Sequence, residues 1–279
     1  MSNTLYLECN SGISGDMTVA ALLDLGASEE VLMKALDSIP ADGFSVEVTR
    51  VKKAGIDCCD FAVLLDAAHE NHDHDMEYLH GHPHEHHHGE EPGHPHEHHH
   101  GEGPGHPHEH VHRGMKEIKD IIAAVKMSDH ARELALRIFG IIAEAEAKAH
   151  AVSVEQVHFH EVGAIDSIVD VVAAAVCLDD LHIENVIVPK LCEGTGTVRC
   201  QHGVLPVPVP AVTNIVEKNG LNLEIMDIQG EFVTPTGAAI VAAVKTADVL
   251  PKSFRIVRTG IGAGKRTYER PSILRAMLI

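Results

Sequence analysis

His158 and His160 stand two residues apart, Glu161 follows directly, and Asp166 and Asp170 come four residues apart a little further on. On a strand, positions two apart project from one face, so both imidazoles aim the same way and Phe159 turns to the core. Where a helix begins near Asp166, Asp170 lies one turn on along the same side. Two imidazoles, an adjacent carboxylate and two more at a helix N-terminus make a mixed nitrogen and oxygen donor set for a transition metal. His202, just before Gly203, offers a further imidazole. Each residue has an ordinary role when taken singly: a cap for Asp166, a solvated side chain for Asp170, a core or loop position for a histidine. His158, His160, Glu161, Asp166 and Asp170 together point to a metal site, with His202 as a further imidazole-type ligand.

A second supply of imidazole lies in the stretch His69 to His112, which holds 18 of the 24 histidines and ten acidic residues, and repeats with a period of twelve. Gly81 opens GHPHEHHHGEEP and Gly93 opens GHPHEHHHGEGP, so His86, His87, His88 and His98, His99, His100 are its densest donors. Its sizeable apolar side chains are Met76, Tyr78, Leu79 and Val111, too few to offset the entropy of ordering, and a disordered insertion is expected. The tract is interior and broken by Pro and Gly, unlike a terminal tag. A linker that charges below about pH 6 is the competing reading. Nickel, copper and zinc all favour imidazole, and a loose chain imposes no geometry that selects among them.

The elements that must position the folded donors follow from pattern. Thr4 to Glu8 alternates as a strand, Cys9 to Asp16 is a Gly/Ser loop, and Met17 to Leu25 is helical up to Gly26. A strand, a small-residue loop and a helix start suit an anion: Ser11, Gly12, Ser14 and Gly15 offer hydroxyls and close backbone approach, and Asp16 adds a hard oxygen. Thr234 and Thr236 repeat the scheme before a helix through Lys245, with Thr236 as the natural N-cap. Thr259 to Arg266 resembles a nucleotide loop, but position 259 is not Gly and 266 is neither Ser nor Thr, so a Walker motif is rejected. Cys192 to Thr197 reads as a Gly/Thr loop. Helices are expected over Ser28 to Asp37, Lys116 to Lys126, Asp129 to Ala149, Ile168 to Leu181 and Ala211 to Lys218, with strands at Phe44 to Val51, Asp60 to Asp66 and from Val186. The fold class is α/β, a layered sheet with packed helices, formed by 1–68 and 113–279 in one or two subdomains and interrupted by 69–112.

Composition removes several functions. With no Trp, three Tyr, six Phe and a net charge of −19, the chain lacks the basic and aromatic surface of a nucleic-acid binder. No run of about eighteen apolar residues suggests a membrane span, and the N-terminus lacks the layout of a signal peptide. Six cysteines without a CxxC pair fit the reducing cytoplasm.

Four motifs in one order carry a resemblance: Ser11 to Met17, His158 to Asp170, His202-Gly203-x-Leu205-Pro206-Val207-Pro208, and Thr234 to Ala239. Over its whole length the chain resembles the nickel-insertion proteins of nickel-pincer cofactor biosynthesis, the LarC family. The resemblance implies an enzyme that places Ni2+ into a dithiocarboxylated pyridinium mononucleotide, forming one carbon–nickel and two sulfur–nickel bonds. It also implies hydrolysis of CTP with Mg2+ or Mn2+ and a product used by lactate racemase; a homo-oligomer is expected. By motif membership Asp16, His158, His160, Glu161 and Asp166 would serve metal or chemistry, and Ser14, Thr234 and Thr236 a phosphate. Glu8 and Asn10 depart from the Asp common at the first loop. The chain stops at Ile279, where similar proteins continue into a domain associated with CTP, so a separately encoded C-terminal half is an expected partner. A non-enzymatic nickel store or metallochaperone, and a nucleotide hydrolase, are the competing classes.

Overall fold

The computed structural model describes residues 3–66, 113–159, 165–200 and 202–279. The histidine-rich tract, His160, Glu161 and the side chain of His158 lie outside the described residues.

A six-stranded mixed sheet runs in the order β2 (Phe44–Lys53), β3 (Ile56–Leu65), β11 (Arg258–Ala263), β12 (Ile273–Leu278), β1 (Asn3–Glu8), β6 (Ile183–Ile187). β1 pairs antiparallel with β12 and parallel with β6, burying Leu5 and Leu7. β2 and β3 form an antiparallel hairpin whose turn, Ala54-Gly55, has both residues at positive φ, 49° and 82°. That geometry matches the right-handed twist of the flanking strands, and it starts β3 at Ile56, ahead of the Asp60 start expected from composition.

Helix α1 (Gly15–Leu25) lies directly on β11. A Cβ at Gly262 would fall 2.1 Å from the Met17 carbonyl oxygen, and one at Gly260 2.2 Å from that of Ala21. The glycines that imitate a nucleotide loop are therefore strand residues that let a helix backbone touch a sheet. Helix α2 (Glu29–Leu36) starts at Ser28, whose hydroxyl accepts from Val31 N–H at 3.3 Å, as the capping pattern predicts. Helices α3 (Met115–Ala124) and α4 (Asp129–His150) follow the short strand β4 (Arg113–Gly114). Leu134, Ile138 and Ile142 recur every four residues and bury one face of α4. Helix α5 (Ile165–Asp180) is apolar nearly all round, and everything from Val171 to Leu178 is buried. It packs between α1 and α4, as a helix without a polar face must. Helices α6 (Pro210–Asn219) and α7 (Pro235–Val244) complete the layer against α4.

Two readings of the sequence need correction. Cys192 to Thr197 is mainly strand: β7 (Leu191–Thr195) pairs parallel with β10 (Leu223–Gln229), and β8 (Thr197–Cys200) forms a hairpin with β9 (Gly203–Pro206). Gly194 imitates a loop residue, yet it is required in the strand because a Cβ there would meet the Gly230 carbonyl oxygen at 2.1 Å. The N-cap of α7 is Thr234, accepting from Gly237 N–H at 3.1 Å, and Thr236 sits inside the first turn. Pro235 at the first helical position settles the boundary, since its missing N–H is one that the helix leaves unpaired anyway.

Candidate functional site

Three helix starts converge on one cavity of about 330 Å3. Ser14, Gly15 and Asp16 come from α1, Asp166 and Asp170 from α5, and Thr234 to Thr236 from α7. Each start leaves backbone N–H groups without intrahelical partners and a partial positive charge, so negative groups are favoured there. Ser14 N-caps α1 without a side-chain cap bond, and its hydroxyl instead donates a short hydrogen bond to Asp16 Oδ1.

Asp170 packs against Gly15 so closely that a Cβ on Gly15 would lie 2.4 Å from Asp170 Oδ2. Its carboxylate accepts the backbone N–H of Asp16, and its Oδ1 has no hydrogen-bond partner among the described residues. Burial, then the neighbouring Asp16 and Asp166 carboxylates, hold the Asp170 carboxyl well above the usual carboxylate range, with Lys265 opposing. Three crowded oxygen donors with an unpartnered oxygen suit a divalent cation, and Asp16, Asp166 and Asp170 would hold a hard ion such as Mg2+ or Mn2+ as readily as nickel. Among the described residues, no three His, Cys, Asp or Glu side chains are already drawn into a metal-holding group.

Two cations on the wall are engaged. Lys265 pairs with Asp60 at 2.6 Å, and Arg266 pairs with Glu231 at 2.6 Å, their side chains only 17% and 8% exposed. The Tyr268 hydroxyl donates to the Glu231 carbonyl at 2.6 Å, and its ring stacks on Phe232 at 4.2 Å. These contacts fix the turn that leads into Thr234.

Glu193 lies beneath the same turn, fully buried. Its Oε1 accepts N–H groups from Gly194 at 2.8 Å, Phe232 at 2.7 Å and Val233 at 3.2 Å, while Oε2 has no partner among the described residues. Burial, helped by Glu231 and opposed by the three N–H groups, pushes its carboxyl up to about 7. Nothing in the sequence near residue 193 announces this role, because two of its three partners lie about forty residues on.

The cavity also gathers Glu146 and His150 from the end of α4, and His202 from the β8–β9 turn. His150 and His202 have ring centroids 5.0 Å apart with planes tilted by 36°. Burial, and His150 beside it, hold the His202 imidazole below its usual range.

Of the residues singled out from sequence, the cavity therefore brings together Ser14, Gly15, Asp16, Asp166, Asp170, His202, Thr234 and Thr236. Ser11 and Gly12 do not line it: Gly12, at φ +84°, lets the loop cross the Phe232 carbonyl, and neighbouring Ile13 bridges Val233. The backbone of His158 pairs with Gly114 in the ribbon of β4 with β5 (His158–Phe159), and Phe159 is buried. The side chain of His158, together with His160, Glu161, His86 to His88 and His98 to His100, falls outside the described residues. Sequence reasoning missed Glu146, His150, Glu193 and Glu231, which have no recognisable spacing to the rest.

No solved structure matches the chain. Among curated proteins it is 54% identical, over its full length, to the pyridinium-3,5-bisthiocarboxylic acid mononucleotide nickel insertion protein of Alkaliphilus metalliredigens, of which it covers 61%. It is 42% identical over 98% of its length to the protein of that name from Clostridium acetobutylicum, covering 63%. For the Geobacillus kaustophilus protein the values are 38%, 98% and 59%. The chain thus spans about three fifths of the length of these relatives. A family model described as nickel insertion protein matches residues 5–279, and the chain belongs to that family.

Proposed function

We propose that this chain takes up Ni2+ and inserts it into pyridinium-3,5-bisthiocarboxylic acid mononucleotide, the substrate that its relatives' names carry. The observation that supports this most is Asp170, buried against the start of α1 and crowded by Asp16 and Asp166. A divalent ion there offsets repulsion among the carboxylates, and the oxygens release it to softer thiocarboxylate sulfur. Ser14, Gly15, Thr234 and Thr236 present N–H groups and hydroxyls to the mononucleotide phosphate. As the carbon–nickel bond forms, the ring carbon loses a proton, which Asp16, Asp166 or Glu161 accepts. CTP with Mg2+ or Mn2+ is the co-substrate that the family resemblance implies. The product serves lactate racemase and related enzymes, and the work belongs to the cytoplasm.

The test mixes the purified chain with Ni2+, CTP, Mg2+ or Mn2+ and the mononucleotide, with and without a separately made C-terminal half. Mass spectrometry then looks for the nickel adduct, which is expected to form. Its absence in both mixtures would leave nickel storage as the better reading, for which the 18 histidines between 69 and 112 speak.

A further inference from the structure

The loop that enters α1 and the turn that enters α7 interlock through their backbones. Ile13 donates its N–H to the Phe232 carbonyl at 2.9 Å, and its own carbonyl accepts Thr234 N–H at 3.1 Å. Two glycines make that approach possible: a Cβ at Gly12 would lie 2.0 Å from the Phe232 carbonyl oxygen, and one at Gly237 2.3 Å from that of Ile13. Ser14 to Asp16 and Thr234 to Thr236 therefore reach the cavity from one joined piece of backbone. Strand β7 closes the circuit beneath it. Cys192 N–H donates to the Cys9 carbonyl at 3.2 Å, at the start of the α1 loop, and the next residue, Glu193, accepts Phe232 N–H at 2.7 Å and Val233 N–H at 3.2 Å on Oε1. Glu193 is the side chain in this ring of bonds, and its full burial leaves no water to take its place. Burial pushes its carboxyl up to about 7, so below that pH the acceptor beneath a phosphate-facing turn carries no charge.

We infer that Glu193 is a positioning residue that locks the starts of α1 and α7 into one unit and thereby sets the spacing of the N–H groups and hydroxyls offered to the substrate phosphate. It lies off the cavity wall and acts only through Phe232 and Val233, which carry its hold to Ile13 and Thr234. The lock follows from the bonding circuit alone; its consequence for the phosphate rests on the function proposed above.

Amide hydrogen exchange of the full chain, resolved to single residues and run at about pH 6, tests the lock, and inorganic phosphate followed by 31P NMR line width tests its consequence. In Glu193→Ala the amides of Ile13 and Thr234, which do not touch residue 193, are expected to exchange about tenfold faster, together with Phe232 and Val233, and phosphate to bind about tenfold more weakly. Glu193→Gln keeps the accepting oxygen and should restore both to within about twofold of the unsubstituted chain. Ile261 N–H, bonded to Asp24 at 2.8 Å in a distant part of the sheet, should keep its rate in every variant. Should Glu193→Ala not fold, Glu193→Asp falls one methylene short of Phe232 and Val233, and the same pattern is expected of it. Faster exchange confined to Phe232 and Val233 would overturn the inference, as would acceleration that includes Ile261 equally, failure of Gln to restore the rates, or phosphate affinity that Ala leaves unchanged. If the unsubstituted chain binds no phosphate, the phosphate site of the proposed function falls, while the exchange pattern still decides the lock.

Discussion

Asp170 and Glu193 are both carboxylates raised by burial, and their surroundings separate their roles. Asp170 faces two like charges inside the cavity, so Asp170→Asn should relieve repulsion and stabilise the fold by about 1 kcal/mol in urea titrations. The same change should cut nickel adduct formation at least about tenfold if Asp170 holds the ion. Glu193 lies off the cavity wall and governs stability. With its carboxyl near 7 in the folded chain against an ordinary 4.5, the folded state keeps a proton between those values that the unfolded state has released. Its contribution is therefore greatest below about pH 4.5, declines as pH rises, and levels off above 7. The unfolding free energy of the wild type from urea titrations should fall between pH 5 and pH 8 by an amount on the order of 2–3 kcal/mol that Glu193→Gln lacks. Equal pH slopes for the two chains would show that Glu193 is ionised throughout. The pair Asp166 and Asp170 is legible from sequence because one helical turn separates them; Glu193 is not, since its meaning comes from Phe232 and Val233.

Elements are held in place by close approaches that composition disguises. Gly262→Ala would drive a methyl group into the Met17 carbonyl and lift α1 from β11, at a cost of about 3 kcal/mol in a denaturation experiment. Because α1 carries Asp16, nickel binding should weaken along with stability. Thr234→Ala removes the cap of α7 and should cost about 1 kcal/mol, with a higher KM for the mononucleotide if that helix start holds its phosphate. Helices were legible where period and caps agreed, as at Ser28 and in α4. Strand β7 was not, because Gly194, which permits close packing there, is the residue type that marks loops elsewhere.

At the scale of the whole molecule, a catalyst and a reservoir respond differently to loss of the 69–112 tract. Deletion should leave adduct formation within about twofold when nickel is in excess and lower it when nickel is scarce, because a supply that only raises local ion concentration matters below saturation. Loss of adduct at excess nickel would assign the tract a part in turnover. Sequence showed the α/β layering through alternating and helical periods, whereas the convergence of three helix starts needs the sheet order, which no local pattern encodes.

Described residues on either side of that tract stand beside the cavity. Phe61 and Val63 of β3 line it just before the chain leaves Leu65, and Arg113, where the chain returns, pairs with cavity-lining Phe159. A hand-over from tract to pocket within one molecule would be first-order, and its rate per molecule should then stay constant when the protein is diluted.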